Sequence, residues 1–189
     1  MSSGNRLATL SDGRQYENQR PLVHQLKKLR RLNKELARRI KGGKNWLKTK
    51  DKLGRLHYEI AGIRLDWLHK VTTEIAKTSG LVAVEDLHFK GLIRNRCLSR
   101  SFSDAAVGEL LDLLETKVTR HGEMLLKVDR FFPSSQLCHC CGAQKTDLTL
   151  ADRIFVCPDL DDCGYLGDRD ENAALVRRFG AYQISPIGR

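Results

Sequence analysis

The chain of 189 residues carries 33 Lys plus Arg against 23 Asp plus Glu, a net charge of +10 that points to a polyanionic partner, nucleic acid before an acidic membrane surface. No run approaches the roughly 18 apolar residues of a membrane span, and the polar start Met1 to Arg6 lacks a secretory apolar stretch, so the sequence predicts a cytoplasmic protein without membrane segments. Five of the six cysteines fall between Cys138 and Cys163, which in a reducing compartment reads as a metal site rather than a disulfide framework.

In chain order, Leu7 to Leu10 reads as a strand ending in the turn Ser11-Asp12-Gly13, with Gln15 to Glu17 returning as a hairpin. Pro21 suits the first turn of a helix, along which Leu22, Leu26, Leu29, Leu36 and Ile40 form a seam with Asn33 in its one polar slot, where it would fix register. Gly42-Gly43 interrupts the seam. A second run follows through Leu53, Leu56, Ile60, Ile63, Trp67, Val71 and Ile75, so an antiparallel helical hairpin is expected over about residues 20–79. The charge is concentrated there: Arg14 to Gly80 holds 18 Lys plus Arg and 6 Asp plus Glu, net +12. Individual charges can be a solvated face, but the clustering of Lys27, Lys28, Arg30, Arg31, Arg38 and Arg39 favours phosphate contact.

Leu81 to Val84 is a short apolar strand leading into Glu85-Asp86. Ser103-Asp104 can cap a helix with Val107, Leu110, Leu111 and Leu114 inward, ending near Gly122, and Met124 to Val128 is a second buried strand. Strand, helix, strand is the order of a crossover unit, so the fold class is α/β. Asp168 to Phe179 closes the chain as a helix with Ala173, Ala174, Val176 and Phe179 inward, stopped by Gly180.

Cys138 and Cys141 are two residues apart, fifteen residues precede Cys157, and five more precede Cys163. The first pair and the gap match a zinc ribbon, in which sulfurs on a tight knuckle reach one Zn²⁺ at about 2.3 Å. The second pair, spread by Pro158 to Asp162, is expected to be a looped-out knuckle. Four sulfurs leave no open position, so the ion is structural and contributes on the order of 10 kcal/mol to folding. His139 and Cys140, inside the first knuckle, compete as ligands, and Cys97 is an ordinary free thiol. Glu85 at a strand end and Asp168 with Asp170 at a helix start are candidates for holding Mg²⁺, although the two aspartates could equally cap the helix.

The ordered strings Val84-Glu85-Asp86-Leu87, Phe132-Pro133-Ser134-Ser135, Cys138-x-x-Cys141-Gly142, Arg153 with Cys157, and Asp168-Arg169-Asp170-Glu171-Asn172-Ala173-Ala174 resemble the motif series of TnpB-like proteins. Leu7 to Gly13 and the basic hairpin resemble the family too, so the likeness covers nearly all of the chain. The family, also called OrfB or transposases, is related to the type V CRISPR effectors. The resemblance implies an incomplete RNase H-like (RuvC-like) nuclease domain with a basic helical-hairpin insertion and an inserted zinc ribbon. Residues 1–133 would be its first part, 134–167 the ribbon, and 168–189 the closing helix and tail. It also implies three carboxylates holding two Mg²⁺, with Glu85 as the second and Asp170 as the third, Asp168 and Arg169 in support, and a transposon-derived guide RNA directing the cutting of DNA.

The family's first carboxylate aligns at or before Met1, as does a large region that grips guide RNA. The resemblance therefore implies two sheet fragments with exposed edges and a truncated or misannotated open reading frame, or one piece of a split gene, catalytically defective alone, that needs the missing region to bind guide RNA. The alternative is a non-enzymatic zinc-ribbon regulator that binds nucleic acid. A zinc-ribbon module of unrelated transcription or ribosome machinery would leave Val84 to Leu87 and Asp168 to Ala174 unexplained.

Overall fold

The computed structural model describes residues 6–87, 104–149 and 151–184, with the side chains of 181–184 left aside. Cys97 and Ser103 lie outside the described residues. Strands β1 (Arg6–Thr9) and β2 (Gln15–Glu17) form the expected hairpin, antiparallel with a bulge between Arg6 and Ala8. Gly13 turns it with φ +84°, a conformation that costs a glycine little.

Pro21 opens α1 (Pro21–Ala37), and after the glycine-containing turn α2 (Lys44–Thr78) runs back for 35 residues, roughly 52 Å at 1.5 Å per residue. A helix of that length meets different neighbours along its course. Its first half buries Leu56 and Ile60 against Leu32 of α1, with Leu22, Leu29 and Leu53 around them. Its second half turns Leu68, Val71, Ile75 and Ala76 into the main core.

The expected seam is corrected at three places. Leu32, not Asn33, takes the buried slot of α1; Asn33 is exposed and its Nδ2 donates to its own Leu29 carbonyl, so it fixes no register. Ile40 lies beyond the end of α1 and is 86% exposed. In α2, Leu68 is buried and Ile63 is 43% exposed, because the apolar stripe shifts when the helix changes partner.

The crossover unit is present. β3 (Leu81–Glu85) and β4 (Met124–Val128) pair in parallel, with Glu85 opposite Val128. Between them α3 (Val107–Arg120) buries Leu110, Leu114 and Val118 in the core shared with α2, Tyr16 of β2 and Val82 of β3. Gly122, at φ +76°, follows the end of α3. β4 is less covered than expected of a buried strand: Met124 and Lys127 are exposed and Val128 is buried, since among the described residues β4 pairs only with β3.

Asp104 does not cap α3. Its buried carboxylate instead accepts hydrogen bonds from the Leu22 and Val23 amides at the start of α1, at 3.0 and 3.3 Å. The preceding Arg20 is left-handed (φ 49°) and its side chain supplies no cap, so these amides would otherwise lack partners.

β5 (Ile154–Val156) and β6 (Leu166–Asp168) form a second antiparallel hairpin that runs directly into α4 (Arg169–Ile184). Two features of α4 depart from expectation: Gly180 lies inside it, and Phe179 is 54% exposed. Glycine inside a helix costs only about 1 kcal/mol relative to alanine, and the Phe132 ring packs beside this one. The described strands make three separate two-stranded sheets, β1-β2, β3-β4 and β5-β6. Among the described residues no helix is long and apolar enough to cross a membrane.

Candidate metal centre and nucleic-acid interface

The four cysteines meet. Cys138 and Cys141 come from a knuckle closed by the Gly142 amide donating to the Cys138 carbonyl at 2.9 Å, with Gly142 itself at φ +78°. Cys157 follows β5, and its amide donates to the Tyr165 carbonyl at 2.8 Å. The five-residue excursion to Cys163 is gathered by Asp159, whose Oδ1 accepts from the Asp162 amide at 3.1 Å and whose carbonyl accepts from the Gly164 amide at 2.9 Å. The looped-out knuckle is thus an ordered turn that returns Cys163 to the cluster.

All four Sγ atoms lie within 4.8 Å of one another. The Cys138 and Cys163 sulfurs are 3.7 Å apart, and those of Cys141 and Cys157 are 3.5 Å apart. A tetrahedron with Zn–S bonds of about 2.3 Å has sulfurs about 3.8 Å apart, so the set has the size a zinc ion requires. His139 and Cys140 fall outside it: the His139 ring stands edge-on to Tyr165 with centroids 4.4 Å apart, and Cys140 is exposed.

The thiols of the cluster differ in how their surroundings treat the proton. At Cys138 desolvation raises the thiol, but the amides of Cys141 and Cys140 and the neighbouring thiols outweigh it, and its pKa falls below the usual value. Burial pushes Cys157 up. At Cys163 a hydrogen bond from the Tyr165 amide favours the thiolate, yet desolvation and the other three thiols win and push it up to about 12. Four thiolates cannot coexist at this spacing without a divalent ion to compensate them.

Of the candidate magnesium ligands, Asp168 ends β6, Asp170 stands in the first turn of α4 and Glu85 ends β3. Asp168 caps the helix, its Oδ1 accepting from the Asp170 and Glu171 amides at 2.9 and 3.2 Å. Its Oδ2 accepts from Arg6 of β1 at 2.7 Å. Desolvation would raise its pKa, but Arg6 and the two amides hold the carboxyl below the ordinary aspartate range. Asp170 is 3.8 Å from the same Arg6 guanidinium. Glu85, at the C-terminal end of β3, is ion-paired to Arg177, whose Nε also donates to the buried Ser134 hydroxyl at 3.1 Å. Seven residues separate Asp170 from Arg177, so both stand on one face of α4. Along the axis the Asp170 and Arg177 backbones are about 10 Å apart, two turns of helix.

Carboxylate oxygens are the hard donors Mg²⁺ prefers, but here each candidate acid faces an arginine, which competes with a bound cation. The acids are not gathered into one shell: among the described residues the four cysteines alone form a cluster of metal-ligand size. Arg169 is buried and donates to the Thr149 carbonyl at 2.9 Å, tying α4 to the loop before β5. The sequence reading missed Arg6, Arg177 and the bonding of Asn172. Helical spacing from Asp170 could have found Arg177, and the polar residue on the inward face of α4 could have found Asn172; nothing local marks Arg6.

On the basic hairpin, Lys27, Lys28, Arg30, Arg31 and Arg38 are exposed, whereas Arg39 is half-buried and paired with Glu35. Lys28 and Arg31 of α1 face Lys52 and Arg55 of α2 across a groove of about 320 Å³ floored by Leu32 and Leu56, with Glu35 and Glu59 the acidic members. Four cations against two carboxylates make it a basic groove.

Two family models match: OrfB_IS605, "Probable transposase", over residues 3–96, and "Cas12f1-like, TNB domain" over residues 108–176. A protein of Streptomyces pristinaespiralis named "Putative RNA-guided DNA endonuclease" is 38% identical over 89% of this chain and 41% of its own length. InsQ of Escherichia coli (strain K12), with the same designation, is 34% identical over 89% of this chain and 45% of its own. The chain therefore spans less than half the length of these relatives.

Among solved structures, the Cas12f1-sgRNA-target DNA complex aligns with TM-score 0.58 and 20% identity, over 87% of this chain and 43% of the other. A CRISPR-Cas12f ternary complex aligns with TM-score 0.60 and 23% identity, over 90% of this chain and 35% of the other. These two likenesses show a shared fold. The two family models lie one after the other along the sequence, and the relatives above 30% identity match over less than half of their own length, so residues 3–96 are similar to the OrfB_IS605 probable transposases and residues 108–176 to the Cas12f1-like TNB domain.

Proposed function

We propose that this chain is the nuclease-bearing portion of a transposon-associated, RNA-guided DNA endonuclease. In this reading residues 1–133 and 168–189 form a RuvC-like domain and residues 134–167 a zinc ribbon. The observation that supports the proposal most is the four-cysteine cluster of zinc dimensions, tied through Asn172 to the first turn of α4 that carries Asp170, with Glu85 of β3 reaching the same helix through Arg177.

Glu85 and Asp170 would hold Mg²⁺, with Asp168 and Arg169 shaping the helix start that presents Asp170. Bound magnesium would stabilise the attacking and leaving oxygens of phosphodiester cleavage. Of the three carboxylates that the family resemblance implies, Glu85 and Asp170 match the second and the third by motif. Lys27, Lys28, Arg30, Arg31, Arg38 and the groove lined by Lys52 and Arg55 would track the phosphates of DNA, and of guide RNA once the rest of the machinery is present. Zinc held by thiolates implies a reducing compartment, the cytoplasm.

A second reading, a non-enzymatic zinc-ribbon regulator, is favoured by one observation: the acidic side chains are each committed to an arginine rather than converged. A cleavage assay with Mg²⁺, cognate RNA and the region that completes the carboxylate set separates the two. Cutting that is lost in both Glu85→Ala and Asp170→Ala supports the nuclease. Specific binding without cutting, unchanged in those variants, supports the regulator.

A further inference from the structure

We propose that Asn172 positions the acid-bearing start of α4 on the metal knuckle, so that zinc loading and the ordering of Asp168 to Asp170 form one coupled equilibrium. The inference rests on the zinc reading above and extends it to a residue that is not a ligand.

Asn172 is fully buried, at 0% exposure. Its Oδ1 accepts from the His139 amide at 3.1 Å and lies 3.0 Å from His139 Nδ1, while its Nδ2 donates to the Leu137 carbonyl at 2.7 Å. A backbone amide can only donate and a carbonyl can only accept, so these partners fix the orientation of the side-chain amide. Leu137 and His139 flank the ligand Cys138. The side chain thus grips the knuckle on both sides of a metal-binding sulfur, from the second residue after Asp170.

A second grip comes from the other half of the cluster. The Arg169 amide donates to the Arg153 carbonyl at 2.9 Å, continuing the β5-β6 pairing that leads to Cys157. The first turn of α4 is therefore held both by the knuckle of Cys138 and Cys141 and by the hairpin that ends in Cys157. Beyond the sulfurs, the module's core consists of Phe155 with Ala143, Leu148 and Tyr165 around it. So small a core depends on its ion to keep both grips in register. Coupling of this kind is reciprocal: what metal does for α4, α4 does for metal.

The residue type is specific. Aspartate keeps the acceptor for the His139 amide but loses the donor for Leu137. Alanine loses both, leaving the Leu137 carbonyl and the His139 amide without this partner.

The test uses the 189-residue chain. Zinc affinity is measured by competition with a chromogenic chelator, and amide hydrogen exchange is read over residues 169–176, with α1 and α2 as the internal control of folding. The wild-type chain is expected to bind one zinc. Removing it should speed exchange over 169–176 at least tenfold and leave α1 and α2 unchanged. Asn172→Ala should bind zinc about 10- to 100-fold more weakly, the usual effect of losing a partner behind the ligands, and should exchange fast at 169–176 even when zinc-loaded. Asn172→Asp should fall between.

A wild-type helix start that stays protected without zinc overturns the proposal, whatever the variants do. So does an Asn172→Ala chain with zinc affinity within threefold of wild type and a protected first turn; in both cases the zinc reading survives. A wild-type chain that takes up no zinc overturns the zinc reading itself, and this inference with it.

Discussion

Asp104→Ala tests whether α1 is capped from a distant part of the chain. The Asp104 carboxylate is 2% exposed and joins the Leu22 amide at 3.0 Å, the Val23 amide at 3.3 Å and the half-buried Arg64 guanidinium at 3.4 Å. Losing an N-cap costs about 1 kcal/mol, and hydrogen bonds to a charged group contribute roughly 1.5–3 kcal/mol. The Arg64 Nε bond to the Asp104 carbonyl survives the substitution, so part of that contact remains. The expected loss is about 3 kcal/mol for Asp104→Ala and about 1 kcal/mol for Asp104→Asn, which keeps an acceptor without the charge, against a total of 5–15 kcal/mol for a typical domain. Urea unfolding followed by circular dichroism reads the global change. Amide exchange at Leu22 and Val23 reads the local one. A loss under about 0.5 kcal/mol for Asp104→Ala, with both amides still protected, refutes the cross-chain cap.

Cys141→Ser should abolish zinc uptake measured by elemental analysis, while Cys140→Ser, outside the cluster, should leave one ion per chain. Because the Cys157 and Cys163 thiols are raised, zinc must displace protons from them; affinity should rise with pH through the neutral range and calorimetry in buffers of different ionisation enthalpy should show proton release. A pH-independent affinity would contradict that. For the basic hairpin, replacing Lys27, Lys28, Arg30 and Arg31 together with glutamine should flatten the slope of log K against log salt on duplex DNA by about 3 to 4, near 0.9 per lost phosphate contact. A slope left unchanged would remove these residues from the interface.

The features legible in the sequence are those set by short-range spacing. The β1-β2 hairpin follows from Ser11-Asp12-Gly13, the parallel β3-β4 pair from strand-helix-strand order, and the four-cysteine set from its two pairs and the gap between them. The seam of α1 was misread because Leu22, Leu29, Leu32 and Leu36 and the choice through Leu26 and Asn33 are both regular apolar stripes; only the position of α2 decides between them. The stripe of α2 shifts at Ile63 and Leu68 because the partner changes there, which no single period anticipates. Long-range polar pairing was invisible. Arg6 and Asp168 are 162 residues apart, Glu85 and Arg177 are 92 apart, and Asp104 caps a helix that starts more than eighty residues before it. Asn172 lay in plain view inside the Asp168 to Ala174 string, but a polar residue on an inward helical face gives no sign of which backbone it serves.

In the function proposed above, Glu85 and Asp170 serve one cation site. Mn²⁺ titrated into the zinc-loaded chain as a stand-in for Mg²⁺, with amide resonances observed by NMR, probes that site. Paramagnetic broadening is expected at Glu85-Asp86 and at Asp170-Glu171 over the same concentration range, with Glu85→Ala weakening the effect at both segments and Asp170→Ala doing likewise. Broadening at one segment only, or broadening at both that each substitution leaves intact at the other, would contradict it.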